Sequence, residues 1–394
     1  MRNKILFFTF FEALGSFLIT PILAIYLVNT LGMSEGAIAI AITSLYFGRY
    51  IIALPLGRMT DLFSPTRVMS LGALLRGSGY GLLALIPEGE IVPVTTSLAL
   101  IGIGGALISP ASSRMMAQID GDNRLKFRLQ SIIFSIGSAS ALMMVSFVDK
   151  EYFLVVFYCS SIVFFMISIY ALTLKSVTSE HKEVDNKNPQ KFTQIVVRLA
   201  YQHALLLGIL FIYTIVYAQL FYLLPIMIDK NSLGHSYISY IYVVNSAFFI
   251  FFQPLWKKFS PVKDISTTAL LSALSFFLGY FLLDIKFKPV CIVFFGVSYA
   301  FAGSILDALF LAELADRTKE YEMGTASGMA FMFRGAGLIA GNAVGALMLY
   351  FDGCQAQYLP IYLSLGVMVV FAIIKLHINR SSSSVFSRRI SRDH

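Results

Sequence analysis

Twelve continuously apolar stretches, each about as long as a bilayer core is thick, constrain this chain more than any other feature. They run Ile5 to Val28, Ala37 to Leu56, Val68 to Ile86, Val94 to Arg114, Gln130 to Val148 and Tyr152 to Leu174. A second set covers Ala204 to Met227, Ile238 to Leu255, Thr267 to Leu283, Val290 to Leu311, Gly324 to Tyr350 and Tyr358 to Ile378. A hydrocarbon core about 30 Å thick offers no water to backbone groups, so only helices or closed barrels cross it. Barrel strands would alternate over ~10 residues, whereas these runs stay apolar for ~20, which predicts an all-α membrane protein with twelve transmembrane helices. With 57% hydrophobic and 13% charged residues, the chain lacks the polar surface a water-soluble domain needs. The first run continues past Pro21 to Tyr26 without a small-residue cleavage site, so it is expected to stay as a helix.

The formal charge of +8 could suggest nucleic acid as a partner, but its placement excludes that reading. Lys and Arg collect in alternate loops: Arg2 and Lys4; Arg58 and Arg67; Arg124, Lys126 and Arg128; Lys175 to Arg198; Lys257, Lys258 and Lys263; Arg317 and Lys319; and the tail from Arg380. The opposite side holds Lys150, Lys230, Lys286 and Lys288. The positive-inside rule then predicts that both termini are cytoplasmic, which requires an even number of spans. A multi-pass protein of the bacterial inner (plasma) membrane is expected, with residues 381–394 as a disordered basic tail beside lipid headgroups.

The longest hydrophilic stretch, 175–203, divides the chain near its middle into two six-helix bundles, 1–174 and 204–380. An internal echo supports duplication. Pro55-Leu56 followed by Phe63-Ser64-Pro65 and Arg67 is repeated, three residues shorter, as Pro254-Leu255, Phe259-Ser260-Pro261 and Lys263. The three cysteines, Cys159, Cys291 and Cys354, have no ligand spacing, so no metal, cofactor or disulfide framework is expected. The five histidines fall in loops, the tail or a helix end, and no Gly-rich loop ending in Lys-Ser/Thr follows a strand. Neither an intramembrane enzyme nor an ATP-driven pump is therefore expected.

Between the second and third spans, Gly57-x-x-x-Asp61 precedes Arg67. Gly57 permits close backbone approach, Asp61 can cap a helix or take a cation, and Arg67 can anchor at headgroups. This gating loop resembles the loop signature of the major facilitator superfamily, although Leu62, Ser64 and Pro65 occupy positions where the signature has basic and glycine residues. The resemblance spans the chain and implies two pseudo-symmetric six-helix bundles in a monomer that moves a small-molecule substrate. Phe17 to Pro21, Gly102-Ile103-Gly104-Gly105 to Pro110, and Met323 to Gly328 are similar to the twelve-span drug:proton antiporter branch. That resemblance implies proton-coupled efflux of a small amphiphilic compound. A dedicated carrier of a siderophore, sugar or peptide-like product, in either direction, is the alternative.

Ionisable residues inside hydrocarbon are expensive unless they meet water or a partner, so each marks a candidate site. Glu12, Arg49, Arg76, Asp307 and Arg334 all fall roughly 10 to 15 Å inside their spans at ~1.5 Å per residue, forming one layer. Glu12 or Asp307 is expected to be the proton-coupling group, with Arg49 or Arg334 as its exchangeable partner. Arg76, on a span expected at the periphery, reads as structural. A static buried ion pair that fixes helix packing is the competing interpretation of the layer. Ser16, Tyr213, Tyr217, Gln219 and Asn245 are substrate-binding candidates. Each could equally serve an interhelical hydrogen bond or an interface with lipid. Gly337, Gly341 and Gly345 share one helix face and suit close packing.

Overall fold

A computed structural model describes residues 1–87, 89–145, 147–174, 192–220, 236–258, 265–285, 289–352 and 362–374. Among them the regular structure is helical. In chain order the helices are α1 (Arg2–Ile19), α2 (Leu23–Asn29), α3 (Glu35–Tyr46), α4 (Ala53–Leu62), α5 (Pro65–Leu83), α6 (Ile91–Ala117), α7 (Asn123–Val145) and α8 (Phe153–Leu172). They continue as α9 (Phe192–Gln202), α10 (Ala204–Ala218), α11 (Ser236–Lys258), α12 (Ile265–Ile285), α13 (Pro289–Arg317), α14 (Met323–Asp352) and α15 (Tyr362–Ile374). Five of these are long and apolar enough to cross a bilayer, or up to seven if each bent pair counts as one span. The expected seventh and twelfth spans run into residues outside those described, and Glu12, Arg76 and Arg334 dilute the apolar character of α1, α5 and α14.

Local chemistry accounts for the helix ends. Ser34 caps α3 through its hydroxyl, which accepts from the Ala37 amide, and Pro65 opens α5, where a missing N–H costs nothing. The second apolar run does not form one straight helix. Between α3 and α4, Phe47–Ile51 forms a π-turn, and the chain bends by 42° across the pair. α9 and α10 meet at a sharper bend of 75° at His203. The stretch 175–203, expected as a linker, therefore ends in a helix, while its first part, 175–191, lies outside the described residues.

Packing divides the chain into two compact units. One comprises Met1–Leu207 with Ala308–Ala336, the other Gly208–Asp307 with Gly337–His394. In the first, α1 lies against α7 and α8, α5 against α6 and α8, and α3, the π-turn and α4 against α6. Small residues set these distances, as expected where lipid removes the hydrophobic drive for helix association. A β-carbon on Gly48 would lie 2.9 Å from the Ala99 carbonyl oxygen, and one on Gly79 would lie 2.8 Å from that of Ser97. Serine hydroxyls reinforce the seam between α5 and α8: Ser161 donates to the Gly77 carbonyl at 2.7 Å and Ser168 to that of Ser70 at 2.8 Å. In the second unit, Tyr213, Phe276, Tyr280, Phe295 and Tyr299 form a buried aromatic cluster between α10, α12 and α13.

Candidate functional site

Two buried carboxylates organise the first unit. Glu12, in mid-α1, receives a hydrogen bond from Arg76 Nη1 on α5 at 2.8 Å, and both side chains are nearly sealed from solvent. The guanidinium also lies 4.7 Å from the Phe164 ring centre and reaches Tyr80 Oη at 3.4 Å. Gly104 makes this reach feasible: a β-carbon there would collide with the Arg76 stem, so the missing side chain leaves a notch in α6. The partner expected for Glu12 was Arg49 or Arg334, and the structure places Arg76 there instead. The expectation that α5 would be peripheral missed this notch. Arg76 is only 2% exposed and is an interior residue.

Arg49 sits on the π-turn with its stem across Gly105 of α6 and its guanidinium 5.7 Å from the Tyr50 ring centre. Arg334 lies one residue before Gly335, whose backbone packs directly on the Tyr50 side chain. Asp307 is half-buried on α13 in the second unit.

The other carboxylate, Asp61, stands at the end of α4. Its Oδ1 accepts from the Gly324 amide at 2.8 Å; its Oδ2 accepts from the Thr325 amide at 2.7 Å and from the Thr325 hydroxyl at 2.5 Å. Asp61 thus caps the start of α14, satisfying amides that have no partner within the helix and meeting the positive end of its dipole. Arg114 Nε lies 3.9 Å away, and the same arginine donates to the Thr60 carbonyl. The seal is tight because bare main chain meets bare main chain. A β-carbon on Gly57 would strike the Gly324 carbonyl, and one on Gly324 would sit 2.6 Å from the Gly57 oxygen. Gly57 and Asp61, expected in a loop, lie one turn apart in α4 and both meet the start of α14, while Arg67 is exposed in the first turn of α5.

Further polar contacts surround this end. Asn123 donates to Asp316 at 2.6 Å, Arg317 Nε to Glu313 at 2.9 Å, and Arg124 lies 3.7 Å from Glu313. Arg198 of α9 pairs with Glu322, and His203 shares a hydrogen bond with Thr318 at 3.0 Å. Sequence inspection missed Arg114, Thr325 and the α9 contacts. For α9 the local signal was the apolar pair Ile195 and Leu199, one turn apart, which the structure buries on one face.

The substrate-binding candidates fall into different settings. Ser16 is buried and donates to the Glu12 main-chain carbonyl at 2.6 Å. Gln219 is buried and donates to Gly341 at 2.8 Å and Ile215 at 3.0 Å, which ties α10 to α14. Tyr213 and Tyr217 stack with ring centres 5.7 Å apart, Tyr213 fully enclosed. Asn245 is half-buried on α11. The structure thus gives Ser16 a packing partner in the first unit and Gln219 packing partners in the second.

Comparison with solved structures identifies the fold. The human organic anion transporter MFSD10 (TETRAN) superposes with a TM-score of 0.71 at 14% identity, covering 94% of this chain and 97% of that one. A POT family transporter in complex with 5-aminolevulinic acid gives 0.70 at 16% identity, with 95% of each chain covered. The E. coli fucose:proton symporter FucP gives 0.71 at 15% identity, covering 95% of this chain and 98% of that one. A search of curated protein sequences gives no match. The sequence matches the Major Facilitator Superfamily over residues 5–342. The chain belongs to the major facilitator superfamily, and is a multi-pass membrane transporter rather than an enzyme.

Proposed function

We propose that this transporter is a secondary active carrier that exports a small amphiphilic compound in exchange for protons by alternating access. The observation that carries the reading is the Glu12 carboxylate, held by a single cation deep in an apolar bundle. A carboxylate there is stable ionised only while Arg76 stays, so movement that separates the two favours protonation. Asp307 is the second coupling candidate, with Arg49 and Arg334 as candidate partners. Asp61, Gly57 and Arg67 form the gating loop: the cap on α14 is a set of hydrogen bonds that water can replace, so it can open and close. Tyr213, Tyr217 and Asn245 remain candidates for substrate contact.

The architecture proposed with this function is two six-helix halves, 1–174 and 204–380, in a monomer with both termini in the cytoplasm of a bacterial cell. The likeness to a fucose:proton symporter and to a transporter bound to 5-aminolevulinic acid supports a second reading, a dedicated carrier of one metabolite. Reconstituted protein should show substrate-dependent proton flux that falls at least about tenfold in Glu12→Gln or Asp307→Asn, a loss of ~1.4 kcal/mol or more. Unchanged proton dependence in both variants would rule out these carboxylates as coupling groups.

A further inference from the structure

The first unit holds a second cation inside an apolar run, Arg49. Glu12 is engaged by Arg76, and among the described residues no carboxylate forms an ion pair with Arg49. Its electrostatic neighbours are the phenols of Tyr46, Tyr50 and Tyr80, together with the occupied Glu12. Arg49 also faces inward. Phe47, two residues earlier and 54% exposed, points the other way, while the Arg49 stem crosses Gly105 of α6. Unlike Arg76, the residue as a whole is only half-buried.

The backbone is built to hold it there. A π-turn adds a residue to the helix and recurs at functional sites. Here it coincides with close contact of α6: a β-carbon on Gly102 would lie 3.0 Å from the Arg49 amide. α14 also approaches here, because Gly335 rests on the Tyr50 side chain. A guanidinium in hydrocarbon is costly unless it meets water or a partner, and a forked guanidinium beside the Tyr50 ring suits a planar anion with an apolar body.

We propose that Arg49 is the anchor of a substrate site for organic anions, its guanidinium binding the carboxylate or equivalent acid group and Tyr50 flanking the apolar body. This rests on the transporter reading and narrows its substrate class. Three probes with one ring system separate charge from shape: 2-naphthoate, 2-naphthamide and 2-naphthylmethylammonium. Binding is measured by titration calorimetry on the detergent-purified full chain, independently of transport.

The wild type should bind 2-naphthoate at least about tenfold more tightly than either analogue, as expected for a charge-assisted hydrogen-bonded pair. Arg49→Gln should abolish that preference, and Arg49→Lys, which keeps the charge and loses the fork, should retain part of it. Equal binding of the three probes, no 2-naphthoate binding at millimolar concentration, or an intact preference in Arg49→Gln overturns the proposal. Circular dichroism of Arg49→Lys and Arg49→Gln checks that loss of binding is not loss of fold. Proteoliposome flux of the same probes separates the two claims. Anion binding without proton-linked flux sinks the transport mechanism alone, and proton-linked flux of the neutral amide with no anion preference sinks the anion site alone.

Discussion

Glu12 and Asp61 are both carboxylates withdrawn from water, yet the fold stabilises them in opposite ways. Glu12 sits in mid-helix and relies on one long cation from a neighbouring helix. Asp61 sits at a helix end and takes three hydrogen bonds from residues more than 260 positions away, with Arg114 at the edge of ion-pair range. An isolated charge in hydrocarbon cannot be rescued by water, whereas amides at a helix start can exchange a carboxylate for solvent at little cost. Opening the first arrangement therefore leaves a charge that needs a compensating proton, whereas the second opens and closes against water alone.

Breaking each in turn sharpens that contrast. Arg76→Leu strands the Glu12 charge and should destabilise the detergent-solubilised protein by about 3–5 kcal/mol in denaturant unfolding. Adding Glu12→Leu should recover most of the loss, because a matched apolar pair replaces a matched ionic one. Equal instability of the single and double variants would show that the pair is not the dominant constraint on α1 and α5. Asp61→Ala should cost less, about 1–2 kcal/mol, the range of a lost helix cap. Its local signature is faster amide hydrogen exchange at Gly324 and Thr325 with the middle of α14 unchanged. If exchange there did not change, the cap would not be closing this end. Arg67→Gln should move the same unfolding midpoint by less than about 0.5 kcal/mol, since the residue is exposed. A larger effect would mean that the loop signature acts through Arg67 as well as Asp61.

Much of the fold could be read from residue order, because bilayer thickness turns length and hydropathy into span positions. The charged candidates were legible for the same reason: each interrupts an apolar run. The partner of Glu12 was not. It depends on Gly104 lacking a side chain, and a glycine in a run already rich in glycine gives no sign of which neighbour it admits. Gly57-x-x-x-Asp61 and Met323 to Gly328 were each conspicuous, but a contact across more than 260 residues has no local periodicity to announce it. Ser16 and Gln219 were ambiguous for a different reason. A polar residue in a span serves a backbone carbonyl or a ligand with the same side chain, and here both donate to carbonyls.

The π-turn at Phe47–Ile51 has a consequence for the whole of its span. One residue corresponds to about 100° of rotation in an α-helix, so removing the inserted residue would turn everything after it by roughly that angle. Arg49 would leave α6, and some twelve positions later Asp61 would swing away from the start of α14. A single wide turn therefore sets the angular phase between the two ends of one span, and a deletion there would disable both.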